Sequence, residues 1–218
     1  LAASFLPEPG MLGELVFYDA PSISAKGRWD FSRDASERLV FGHFDCDRFA
    51  SRGMVFAGSM DFSIAPDRFF IRNFRLEHQS GNLTLQCLKK PEHFQYDATL
   101  RMDPSALVPF VATDKMRSFL QSFAMGRDAG VHLELSGEGP TLDGRTWQSS
   151  GHLDLRDFEF RGTHFDRLEM DLTLDGPNHH YENIRVFRPE GSARGERVSV
   201  AFAAAEGGVG IRTELVGL

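Results

Sequence analysis

The sequence predicts a mainly β protein: a curved antiparallel multi-strand sheet built from two related modules, with one covering α-helix at about residues 104–125. Three observations carry this expectation. Apolar residues recur at every second position along most of the chain, and short turn signals punctuate that alternation. In addition, the stretch GHLDLRDFEFRGTHF at 151–165 has a near twin, GHFDCDRFASRGMVF, at 42–56.

Taken in order, the alternating segments are Phe44-x-Cys46, Met60-x-Phe62-x-Ile64, Leu83-x-Leu85-x-Cys87, Phe94-x-Tyr96-x-Ala98-x-Leu100-x-Met102, Val131-x-Leu133-x-Leu135 and Val198-x-Val200-x-Phe202. The clearest is Leu168, Met170, Leu172 and Leu174, interleaved with Glu169, Asp171, Thr173 and Asp175. Side chains on a strand point alternately to its two faces, so each segment has one oily and one wet face. Turn signals lie between them: APD at 65–67, QSGN at 79–82, KKPE at 89–92, GEGPTLDG at 137–144, DGPN at 175–178 and PEG at 189–191. About a dozen short, mostly meandering strands follow.

One segment departs from period two. In PSALVPFVATDKMRSFLQSFAM, residues 104–125, Met116, Phe119, Leu120 and Phe123 fall at helical spacing. Pro104 and Pro109 suggest a short first turn, Thr113 or Asp114 an N-cap, and Gly126 a stop. This helix is expected to lie against the oily face of the sheet.

The twin stretches belong to a longer repeat. The offset between copies is 109 through Phe56/Phe165 and 110 beyond, where Asn73-Phe74-Arg75-Leu76 matches Asn183-Ile184-Arg185-Val186 and Gly81 matches Gly191. A one-residue difference in an intervening hairpin would explain the change. The first copy spans about residues 22–102 and the second about 131–202, within one β-rich region, 1–218, expected to be part of a longer protein. Within each twin the apolar phase slips, from Phe44 and Cys46 to Phe49 and from Leu153 and Leu155 to Phe158 and Phe160. A strand changes face only through a bulge or bend, so one is expected at 47–48 and at 156–157.

Composition narrows the function classes. The net charge of −7 is well mixed, against the basic patches that nucleic acid and anionic membrane surfaces require. No run approaches the about 20 apolar residues of a membrane-spanning helix. Of the aromatics, 20 are Phe, which buries area without a polar handle. Cys46 and Cys87 occupy apolar positions and read as small buried hydrophobes; a disulfide would need adjacent strands and an oxidising compartment.

No catalytic, cofactor or metal constellation emerges, and none is assigned. His179 and His180 are neighbours that a strand would point to opposite faces, and they read as solvated turn residues. His43 and His152, each beside a Gly, suggest a structural role such as bonding a turn carbonyl. Glu169, Asp171 and Asp175 read as one solvated face rather than paired catalytic carboxylates. GEGPTLDG does not lead from a strand into a helix, as a phosphate loop would. Arg72, Arg75, Arg185 and Arg188 lack the interleaved aromatics of a single-strand nucleic-acid groove.

The Gly-led strand GHLDL, the strand ending DLTLDG, the strand YENIRV and the small-residue turn EGSARG, all within 149–200, resemble the AsmA-like C-terminal region of AsmA- and TamB-type bacterial envelope proteins. GEGPTLDG resembles that family's linker between modules, while the helical segment at 114–125 is a departure from its pattern. The resemblance implies a non-enzymatic, periplasmic, curved β-sheet with an apolar concave face, associated with outer-membrane biogenesis and lipid transport. It also implies an inner-membrane anchor outside this chain, and phospholipid or other envelope proteins as partners. The apolar face offers Phe44, Phe62, Leu153, Leu155, Leu168, Met170 and Leu172 as candidate lipid contacts. A second reading is a β-sandwich interaction module for protein or glycan, with Trp29, Trp147 and Tyr181 lining a surface patch.

Overall fold

The computed structural model of the chain describes residues 15–28, 38–110, 114–140, 146–176, 178–205 and 208–216. Trp29 and Thr113 lie outside them. The described strands are β1 (Leu15–Phe17), β2 (Ser22–Arg28), β3 (Leu39–Ser51), β4 (Met54–Ala65), β5 (Arg68–His78), β6 (Gly81–Lys90) and β7 (His93–Arg101). They continue as β8 (Phe123–Gly139), β9 (Gln148–Phe160), β10 (Thr163–Asp175), β11 (Asn178–Arg188), β12 (Gly191–Ala205) and β13 (Gly208–Val216).

All join one open antiparallel sheet in chain order from β3 to β13, with β1 and β2 both pairing the outer edge of β3. The fold class is the one the alternation predicts, although the strands are long: β3, β9 and β10 have 13 residues each and β8 has 17, against about 5–6 for an ordinary strand. The single sheet also departs from the facing sheets of a sandwich.

Within each copy, equivalent residues pair with each other on both sides of the bend. Type I′-like two-residue turns, Arg52-Gly53 and Arg161-Gly162, close β3–β4 and β9–β10 with positive φ at both residues (48° and 82°, 51° and 76°). The Arg-Gly pair recurs because Gly enters the left-handed region freely and the turn twist matches that of the strands.

The extra residue of the second copy is not in a hairpin. Phe49 pairs with Phe56 as Phe158 pairs with Phe165, and Phe44 pairs with Met60 as Leu153 pairs with Met170. The insertion therefore falls inside β10, opposite the bend. In the first copy, Asp47 and Arg48 of β3 face one residue of β4, which is a bulge. In the second, β10 supplies the matching residue and pairs β9 without a bulge; on the other side of β9, β8 residues 126–129 face Asp157, much as the break between β1 and β2 lies opposite Asp47 and Arg48 of β3. Asp157 adopts φ 48°, and its Oδ2 accepts a 3.0 Å bond from the Asp128 amide. Both bends lie where the phase slip predicts them: in β3 burial passes from Cys46 to Phe49, in β9 from Leu155 to Phe158.

The helical segment is shorter and more broken than its spacing suggests. It consists of a 3₁₀ helix, Pro104–Phe110, and a seven-residue α-helix α1, Asp114–Leu120. Helical spacing runs on to Phe123, but that residue is already in β8, paired with Phe160 with ring centroids 4.9 Å apart. Sheet pairing overrides local periodicity there, and the Ser122 amide closes the helix with a tight 3.0 Å bond to the Phe119 carbonyl.

The 3₁₀ helix plugs one end of the apolar face. Met102 and Ala106 are 1% exposed, Pro109 is fully buried, and the Phe110 ring meets Phe56 edge-on at 5.1 Å. At the opposite end of the strands Trp147 stacks on Phe94 (4.9 Å) and reaches Tyr96 (5.1 Å). Cys46 and Cys87 are free and buried, on strands separated by β4 and β5. Burial pushes the Cys87 thiol pKa up, so it stays a neutral, inert packing group.

Candidate functional site: a continuous apolar face

Register joins the alternating segments into rows that no single strand reveals. One row passes Ile23, Phe44 and Met60, crosses the β4–β5 irregularity to Phe74, and continues through Leu85, Ala98 and Leu135. It goes on through Gly151, Leu172 and Tyr181 to Val198. A second passes Leu76, Leu83, Leu100, Leu133 and Leu153 to Met170. At about 4.8 Å between strands, the first row spans about 48 Å.

All seven candidate contacts lie on this face. Leu153 faces Met170, Leu155 faces Leu168, and Leu172 faces Gly151, so five of them form one patch across β9 and β10. Phe44 and Phe62 form a second patch on β3 and β4, joined to the first by the rows through β5–β8. Leu155 is the only fully buried member, at 3% exposure. Gly42 and Gly151, which begin the twin motif, each lie where a neighbouring strand leaves no room for a side chain. A Cβ at Gly42 would collide with the Phe62 ring, and one at Gly151 with the Glu134 carbonyl oxygen. Met60, Phe74, Leu85, Leu135 and Val198 belong equally to the face. Their alternation was legible, but pairing register was needed to join them.

Cover is uneven along the sheet. The core clusters lie under β3–β8, around Cys46, Phe56 and Leu76, around Cys87 and Tyr96, and around Leu100 and Met102. By contrast, no residue of β10 or β11 is fully buried. Burial of an apolar side chain is worth about 1.5–3 kcal/mol, and this half of the face gains only part of it.

The opposite face carries the repeated polar residues. His43 Nδ1 lies 2.7 Å from Asp61 Oδ1, and Asn73 Nδ2 donates to Asp61 Oδ2 at 2.9 Å. In the second copy His152 lies 2.8 Å from Asp171 Oδ1, and Asn183 donates to Asp171 Oδ2 at 2.7 Å. Asn73 (φ 50°) and Asn183 (φ 53°) sit in equivalent bulges, where two residues of β5 or β11 face one of β4 or β10. Asn tolerates the left-handed conformation, and its amide fastens the bulge to the carboxylate. The histidines thus play a structural part, but they bond a cross-strand carboxylate rather than a turn carbonyl. The Asn73 and Asn183 hydrogen bonds, followed by those to His43 and His152, hold the Asp61 and Asp171 carboxyls below their usual pKa.

Asp154 is the strongest electrostatic feature. Its burial would raise its pKa, yet hydrogen bonds from Arg167 (2.9 and 3.1 Å) and Arg156 (2.7 Å) hold it at about 2. Glu169 extends the chain of charges to Arg167 and Arg185. A carboxylate with a lowered folded pKa stabilises fully above its unfolded pKa, near 3.8, and loses that contribution as pH falls through the folded value. Urea midpoints measured against pH should therefore fall between about pH 4 and 2. Asp154→Asn should lower the midpoint at neutral pH and flatten that fall; an unchanged acid profile would rule out the linkage.

Two polar expectations change. His179 and His180 belong to β11, not to a turn, and both are half-buried. Desolvation lowers the His179 pKa. Of the aromatics proposed for a surface patch, Trp147 packs into the Phe94–Tyr96 cluster and Tyr181 is half-buried within the apolar row. A shallow hollow of about 600 Å³ on the polar face is lined by Arg75, Thr84, Asp97 and Glu134 among others. Among the described residues, no group of three or more His, Cys, Asp or Glu side chains is arranged to hold a metal ion.

Comparisons with family models, curated proteins and solved structures give no match for this chain.

Proposed function

We propose that this chain is a non-enzymatic cell-envelope module that holds lipid acyl chains against its apolar sheet face, in outer-membrane biogenesis or lipid transport. The observation that carries the reading is the apolar row running from Ile23 to Val198, half-exposed where it crosses β10 and β11. An apolar row left only partly covered over this length calls for a further cover. A face rich in Phe, Leu and Met with few polar handles suits hydrocarbon better than a hydrogen-bonding ligand. At about 48 Å, by strand spacing, the row is longer than the about 15 Å of one leaflet's acyl chains. A lipid can therefore lie at several points along it, as transport requires. The resemblance to AsmA- and TamB-type regions supports the same assignment, with a periplasmic location and an anchor outside the chain.

Native mass spectrometry and transfer of fluorescent phospholipid between vesicles test this together. The purified chain should retain phospholipid and accelerate transfer. Leu172→Asp, at the centre of the half-exposed stretch, should reduce both severalfold while the far-UV spectrum stays unchanged. A lipid-free spectrum combined with no transfer by the unaltered chain would refute the assignment.

A further inference from the structure

We propose that the outer edge of β2 is a docking site for an antiparallel strand from another module of this same type, seated as β7 is seated on β8. Three observations converge on it. The first is internal equivalence. β2 pairs β3 in the register with which β8 pairs β9: Ile23 faces Phe44 as Leu133 faces Leu153, and Ala25 faces Gly42 as Leu135 faces Gly151. Gly27 and Gly137 are equivalent too. A Cβ at Gly27 would collide with the Leu39 carbonyl oxygen, and one at Gly137 with that of Gln148, the matching position. β2 is therefore the first strand of its module, as β8 is of the next.

The second observation is what each first strand has on its other side. β8 is paired there by β7, with Leu100 against Leu133 and Ala98 against Leu135, and Val131, Leu133 and Leu135 of β8 are half-buried. Among the described residues no strand pairs the outer edge of β2. All seven of its residues are exposed, Ile23 by 70%. An unpaired strand presents a row of free backbone donors and acceptors, a template for another strand.

The third is the distribution of exposed apolar surface. Among the described residues, eight large hydrophobic residues have exposed side chains, and five of them (Val16, Phe17, Tyr18, Ile23 and Phe41) lie on β1–β3 or just after β1. A partner strand there would continue the Ile23–Phe44–Met60 row by one step. The β7–β8 ladder already specifies its chemistry: apolar residues at alternate positions, as in Phe94, Tyr96, Ala98 and Leu100.

The probe is a peptide of residues 93–101, HFQYDATLR, with a control peptide of the same composition whose alternation is broken. Hydrogen exchange of the full chain is followed by mass spectrometry. The native peptide should slow exchange in residues 22–28 at least tenfold, and the control peptide should not. Ile23→Lys changes a side chain that is 70% exposed, so exchange across β3–β7 should be unaltered. It places a charge on the docking edge and should abolish the protection. Phe119→Ser, an exposed site on α1, should leave the protection intact. Absent protection of β2, equal protection by the control peptide, or full protection in Ile23→Lys would each overturn the proposal.

Discussion

Phe56→Ala is expected to destabilise the β3–β6 half of the sheet by about 3–5 kcal/mol, the usual loss for a buried Phe truncated to Ala. Phe56 is 2% exposed and touches Phe49 at 5.8 Å, His78 at 5.3 Å and Phe110 at 5.1 Å. Its counterpart Phe165 stacks on Phe158 at 5.2 Å and lies beneath Arg188, and it is only half-buried. Phe165→Ala should therefore cost about half as much or less. Each strand from β4 onward pairs only with its sequence neighbours, so the loss should stay local, as in other quasi-one-dimensional assemblies. Native-state hydrogen exchange checks this. Phe56→Ala should speed exchange in β3–β6 and the 3₁₀ helix while β9–β11 keep their protection. Equal costs for the two substitutions would show that the helical plug contributes nothing to this core.

Gly81→Ala should be the most damaging single-methyl addition, well beyond the same change at its repeat partner Gly191. Both glycines open the second strand of equivalent hairpins and both lie in the region that only glycine enters easily, at φ 138° and 151°. The shared backbone strain is about 1–3 kcal/mol. At Gly191 a new Cβ would meet nothing within 4 Å, so strain is the whole cost. At Gly81 it would collide with the Arg101 carbonyl oxygen, where the chain leaves β7 for the 3₁₀ helix. Backbone cannot step aside as a flexible side chain can, which adds an overpacking cost of about 1–3 kcal/mol. Thermal or urea unfolding of the two variants measures the difference, and equal losses would sink the argument.

These contrasts show where reasoning from residues reached and where it stopped. Period-two alternation revealed the strands because burial on one face selects apolar residues at alternate positions. The Leu168–Leu174 segment is β10 in full register. The phase slips revealed both bends, since no straight strand can move Cys46 and Phe49 to the same face. The twin His residues signalled a structural role. Their partners Asp61 and Asp171 lay 18 and 19 residues away, on neighbouring strands, and only pairing brought them together. Helical spacing over 104–125 misjudged the segment's end because Phe123 faces Phe160, a contact 37 residues distant that local propensity does not contain.

The sequence by itself determined the class of fold, the duplication, the turns and the residues that share the oily face, because these follow from local sterics and from the two-residue period of a strand. Only the tertiary structure decided how the faces join and which of them are covered. The extra residue of β10 removes the bulge that β3 makes against β4, the 3₁₀ plug buries Phe56 while Phe165 stays half-buried, and among the described residues no strand pairs the edge of β2 that corresponds to the β7-paired edge of β8. Each depends on register between strands distant along the chain, and register is a property of the paired backbone that no single stretch of residues carries.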